Sequence, residues 1–170
     1  SNTPTDFTLI TTGGASQPRS GFLAGVEVTP TLPANWQATI DQGLGVSFSY
    51  GGDYVILRPT WSATSINPPS IEPIPGHDLL WQEIQSLNSH SAFNHQKMIL
   101  FPTINYAQSS EIFWMTAARD SDWWNQWYER YSRFILNYAD LANVLSLDAL
   151  IIGDPSVTPS MMNGVLPNGK

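Results

Sequence analysis

Residues Asp120 to Pro155 constrain the fold more than any other stretch of this chain. Trp124, Trp127, Tyr128, Tyr131, Phe134, Ile135, Tyr138, Leu141, Ala142 and Leu145 recur at offsets of three and four, which predicts a core-facing helical stripe. Asp120, Ser121 and Asp122 supply candidate N-caps and negative charge at its start. Then comes a continuous apolar run from Asp148 to Asp154, ending at a glycine and a carboxylate. A strand apolar on both faces belongs to a parallel sheet covered by helices. A polar group at the carboxyl end of such a strand stands where parallel α/β folds place their chemistry.

The same rhythm runs through the rest of the chain. Phe22 to Pro30 predicts a strand, and Pro33 to Asp41 a short helix continuing weakly toward Tyr50. Asp53 to Pro59 predicts a second strand, followed by a proline-rich loop from Thr60 to Gly76. His77 to Asn94 gives an amphipathic helix and Lys97 to Asn105 a third strand. Tyr106 to Ala118 is expected to be a loop carrying Phe113 and Trp114, and Pro155 to Lys170 a second loop. Strand and helix alternate, so the fold class is α/β, with a parallel sheet of four βα units. Long loops follow the strands and short returns follow the helices, so one rim of the sheet is elaborate, as in half of a (β/α)8 TIM barrel. Residues 1–20 are expected to be an N-terminal strand and linker, possible remains of a preceding β domain, and residues 21–170 the half-barrel.

Composition narrows the function. The chain has 170 residues with 14 acidic against 7 basic, a formal charge of −7, which disfavours a nucleic-acid partner. It has no cysteine, and its three histidines, His77, His90 and His95, are scattered, so no metal and no cofactor are expected. No apolar run approaches membrane-spanning length, so membrane insertion is not expected. Only 12% of residues are charged, about half the usual share, while tryptophan and neutral polar residues are plentiful. Such a surface suits neutral sugars, whose hydroxyls and apolar faces match amides and aromatic rings. An extracellular bacterial protein without sugar chemistry fits the composition equally well.

A more specific likeness lies in the order of motifs. Val55 to Trp61, Asn67-Pro-Pro, Glu72 to His77, Met98 to Thr103, the Trp123 to Ala142 helix and Ile151-Ile-Gly153 together resemble the amino-terminal half of a clan-A glycoside-hydrolase (β/α)8 barrel of the mannanase-like type. The resemblance implies a retaining glycosidase with two glutamates, an acid/base after the fourth strand and a nucleophile after the seventh, about 5 Å apart. Here the fourth strand ends in Asp154, one methylene shorter than the glutamate of the pattern, and no seventh strand is present in this sequence. The resemblance also implies an arginine at the end of the second strand, which Arg58 matches.

The candidate catalytic residue is therefore Asp154, as proton donor. Its alternative role is an Asx-type turn cap. Arg58 needs a carboxylate partner, for which Glu27 is the candidate; the pair is either purely structural or the floor of a site. Trp61, Tyr106, Phe113 and Trp114 are candidates to stack on a sugar ring, Trp61 and Trp114 foremost, with loop anchoring as the alternative. Asn105 is a candidate sugar ligand or a strand terminator, and His77 a helix-start residue. The implied partner is an oligosaccharide or polysaccharide at an extracellular or cell-surface location. The implied function is hydrolysis of O-glycosidic bonds once the remaining half of the barrel is supplied, in the same polypeptide or by a second copy. Alone, this chain is expected to be inactive. The alternative is a non-catalytic carbohydrate-binding or cell-surface scaffold module.

Overall fold

A computed structural model describes residues 24–29 and 36–169. The expected strand and linker over residues 1–20, the first residues of strand one and the start of the first helix lie outside them. Four parallel strands form the main sheet in the order β1 (Gly25–Val28), β2 (Tyr54–Leu57), β5 (Lys97–Leu100) and β7 (Ala149–Leu150). The helices α1 (Trp36–Ser49), α2 (Trp81–Phe93) and α4 (Ser121–Val144) connect them. Neighbours in the sheet are neighbours in the βα sequence, so this is the singly wound order of a barrel.

β2 and β5 do not stop at the main sheet. Each passes a proline, Pro59 or Pro102, and resumes as β3 (Thr60–Ser65) or β6 (Thr103–Tyr106), again parallel to each other. A proline cannot donate to a ladder, so the sheet breaks at both positions in register. β4 (Ser70–Glu72) then returns antiparallel along β3. The proline-rich segment expected as loop is therefore largely a hairpin, and its Ser/Thr-rich, non-alternating composition hid the strands. The segment Tyr106 to Ala118 likewise is not all loop. It contains α3 (Ser110–Thr116), started by Ser109, whose hydroxyl accepts from the Ile112 amide. The tail begins with a 3-10 turn over Pro155–Ser160.

Alternation along the strands sorts the residues into two faces. Val55, Leu57, Met98 and Leu100 are buried on the side that carries the helices. The register places Glu27, Ile56, Ile99 and Ala149 in one row on the opposite side. Two residues further, Arg58, Phe101 and Ile151 continue the same face. This is the face that would line a closed barrel. β7 departs from expectation at this point: Ile151 and Ile152 are exposed, Ile152 by 56%. Among the described residues no fifth strand pairs with β7, so an apolar run built for burial on both faces is left partly open.

The core sits between the sheet and α4. Asp120 caps that helix by accepting from the Trp123 amide at 2.8 Å. Its inner stripe stacks Trp123 on Trp127 and Trp127 on Tyr131, and meets Trp61, Phe113 and Trp114. The three returns from helix to strand share one Schellman-type motif. Gly51, His95 and Ser146 take positive φ, and the next amide reaches back to Ser47, Ser91 and Ala142 respectively. Such tight closure keeps the amino-terminal rim plain and leaves the long connections to the opposite rim.

Candidate functional site

At the carboxyl rim, Glu27 and Arg58 meet across adjacent strands with 3.0 Å between Oε1 and Nη1. The guanidinium also lies over the Phe101 ring, 4.8 Å from its centroid. Both side chains remain partly exposed, so the pair contributes little to stability and is available to a ligand. The sequence-based pairing of these two residues matches the geometry, which joins strands one, two and three across the barrel-lining face.

Asn105 belongs to a second polar group one level higher, on β6 beside β3. Its Nδ2 lies 3.4 Å from Ser62 Oγ and 3.5 Å from His77 Nε2. Beneath them the Asp78 carboxylate is 0% exposed. It accepts from Thr60 Oγ1 at 2.6 Å, Ser62 Oγ at 3.0 Å and the Ile74 amide at 2.9 Å, with His77 Nδ1 at 3.2 Å. A buried carboxylate requires such partners. Ser62, His77 and Asp78 do not form a nucleophilic triad, because both Ser62 and Asp78 approach the same ring nitrogen, Nδ1. Sequence reasoning assigned no role to Asp78 and treated His77 as a helix start. The helix begins only at Trp81, capped by Leu80 and Glu83, and the His77-Asp78 pair points back to the strands instead.

Asp154 lies three residues beyond Ile151, whose amide still bonds to Leu100. Its Oδ1 accepts from the Ser156 amide at 3.1 Å and Oδ2 from the Ser156 hydroxyl at 2.8 Å, so it caps the 3-10 turn. An acid/base role would require the Ser156 hydroxyl to release Oδ2. Tyr106 packs edge-on against Phe113 at 5.1 Å. Burial pushes its phenol well above the usual range, and the nearby Asp154 charge adds to the effect. Tyr106 also lines a cleft of about 310 Å³ with Ala63, Ser65, Gln108 and Phe113, between the tips of β3 and β6 and the start of α3.

The two tryptophans put first for sugar stacking are core residues. Trp114 is 1% exposed, donates its Nε1 to the Ser156 carbonyl at 2.7 Å and packs on Trp127 at 4.8 Å. Trp61 is 7% exposed and packs on Phe134 and Tyr138. Neither ring offers a free face, so both anchor the elements that carry them. The misreading has a physical source: with α3 taken as loop, Trp114 had no core to enter. The loops themselves are pinned together, since Asn67 bridges to Thr116 and Ala118, and Trp123 Nε1 donates to the Ile66 carbonyl.

Among solved structures, a GH113 β-1,4-mannanase described as a complex is similar to this chain with a TM-score of 0.65 at 15% identity, over 81% of this chain and 46% of that one. The fold is half of a (β/α)8 barrel. A GH113 β-mannanase from Alicyclobacillus acidocaldarius, AaManA, in complex with ManMIm aligns with the half-barrel at a TM-score of 0.57 and 18% identity, over 76% and 44%. A further GH113 β-1,4-mannanase gives 0.58 at 17%, over the same shares. The half-barrel thus spans less than half the length of the mannanases it matches. No protein-family profile matches it, and no curated protein sequence does. At these identities the likeness is one of fold.

Proposed function

We propose that this chain is the amino-terminal half of a carbohydrate-active barrel that hydrolyses O-glycosidic bonds of a β-linked polysaccharide outside a bacterial cell, once the other half is supplied by the same polypeptide or a second copy. The observation that carries the reading is the match to mannanase barrels over some four-fifths of the half-barrel. It is supported by a carboxyl rim that holds Glu27, Arg58, Asn105 and the elaborated loops. In this reading Arg58, fixed by Glu27, binds a sugar hydroxyl of the substrate or orients a carboxylate of the missing half. Asp154 donates the proton to the leaving oxygen after shedding the Ser156 hydroxyl. The reaction needs a second carboxylate as nucleophile, which the completing half must provide.

The test uses β-1,4-mannan, with other β-linked glucans and xylans beside it, and measures release of reducing ends. The isolated half-barrel is expected to be inert. The completed barrel is expected to hydrolyse one of these polymers, with Asp154→Asn lowering kcat by roughly 10²- to 10⁴-fold, the usual yield of general acid catalysis. Binding of a polymer without hydrolysis would replace this reading with the scaffold alternative. No binding and no hydrolysis by the completed barrel would discard both.

A further inference from the structure

The Thr60–Ser62–His77–Asp78–Asn105 cluster can be solved for its hydrogens. The Thr60 and Ser62 hydroxyls each own one proton, and both are given to the buried Asp78 carboxylate. Ser62 Oγ is thereby left as an acceptor only, facing His77 Nδ1 at 3.3 Å and Asn105 Nδ2 at 3.4 Å. His77 Nδ1 stands between this oxygen and Asp78 Oδ1, two acceptors, so Nδ1 carries the hydrogen of the neutral ring. Nε2 then holds the lone pair. The Asn105 amide turns its two hydrogens toward Ser62 and His77, because its oxygen in that place would face another acceptor. Its contact to Nε2, at 3.5 Å, is long and weak, so a ligand hydroxyl can displace it from Nε2 on a side chain that is 55% exposed.

We infer that His77 Nε2 and Asn105 Oδ1 form a two-acceptor site for the vicinal hydroxyls of a neutral sugar, with Asp78 and Ser62 as the positioning residues that set the ring tautomer and the amide orientation. The ligand class rests on the carbohydrate reading above; the hydrogen pattern does not. Neutral hydroxyls fit because each can donate to one acceptor. A phosphate or carboxylate does not fit, since the site offers it no donor and places a buried carboxylate behind.

Long-range ¹H–¹⁵N NMR of the 170-residue chain, with its imidazoles neutral, tests both halves of the inference. The unliganded protein should show His77 with hydrogen on Nδ1 and a bare Nε2, and Asp78→Asn should mix the tautomers. Saturating β-1,4-mannotetraose should move the Nε2 resonance, and His77→Phe should weaken its binding about tenfold while His77→Gln restores part of it. Hydrogen on Nε2 in the free protein overturns the inference, as does an Nε2 signal unmoved by the sugar. If Arg58 or Tyr106 signals move while that of His77 does not, only this site is lost. If mannotetraose moves none of them, the carbohydrate reading of the rim goes with it.

Discussion

Lys97 and Asp148 stand at the amino-terminal end of the main sheet, on the first residue of β5 and the last residue before β7, with 3.0 Å between Nζ and Oδ2. Their hydrogen bond holds the Asp148 carboxyl below its ordinary 3.8 and raises the Lys97 ammonium above 10.5. The sign follows from linkage. The depressed carboxyl contributes stability above 3.8 that is lost as the pH falls through its folded value. The raised ammonium contributes below 10.5 and loses its share as the pH rises through its own. Both groups are exposed, so the effect on stability is small and the titration itself is the better readout. Carboxyl NMR should place the Asp148 midpoint below 3.8, and Lys97→Met should return it toward that value; an unchanged midpoint in the variant would assign the shift elsewhere. Single residues of this kind were partly legible in the sequence. Asp148 as a turn residue and the Glu27–Arg58 pair follow from charge at strand ends. Asp78 did not, because a carboxylate between Pro-Gly-His and a helix gives no sign that four partners converge on it from one strand and a loop.

Periodicity decides how well an element can be read. α4 was legible over its whole length because a 24-residue helix repeats its apolar stripe many times, and its aspartate cap stands immediately before it. α3 spans seven residues and β4 three, too short for either period to show. The helix-to-strand returns are short by a mechanism that sequence only hints at, the left-handed residue after each helix. Gly51 adopts it freely, whereas His95 and Ser146 hold φ of 58 and 51 with a Cβ in place. Ser146 is exposed and its backbone bonds are kept by any residue. Ser146→Gly is therefore expected to stabilise the protein by about 0.5–1 kcal/mol, read as a higher urea midpoint at unchanged slope. His95→Gly should gain less, since the His95 ring also packs 6.1 Å from Phe48. A lower midpoint for Ser146→Gly would show that the serine contributes something beyond its backbone shape.

At the scale of the whole molecule the two faces of the main sheet have unequal fates. One carries the aromatic core and three helices. The other shows the row of Ile56, Ile99 and Ala149 with Phe101 and Ile151 beyond it, and no described element packs across it. Among the described residues β1 and β7 are both edge strands of that sheet. Unpaired edges and an open apolar face are each an invitation to association. In a closed barrel the same residues become interior layers filled from the facing strands. The isolated 170-residue chain is thus expected to self-associate, and sedimentation velocity should show its weight-average coefficient rising with concentration. Ile99→Lys puts a charge in the middle of the barrel-lining row without touching the helix-side core of Val55, Leu57, Met98 and Leu100. That variant should keep its near-ultraviolet circular dichroism, which reports the buried tryptophans, and sediment as a monomer. A wild-type chain that stays monomeric at high concentration would mean that residues outside the described part already cover this face. The barrel would then be closed off by the chain itself, and the search for a completing half would lose its physical motive.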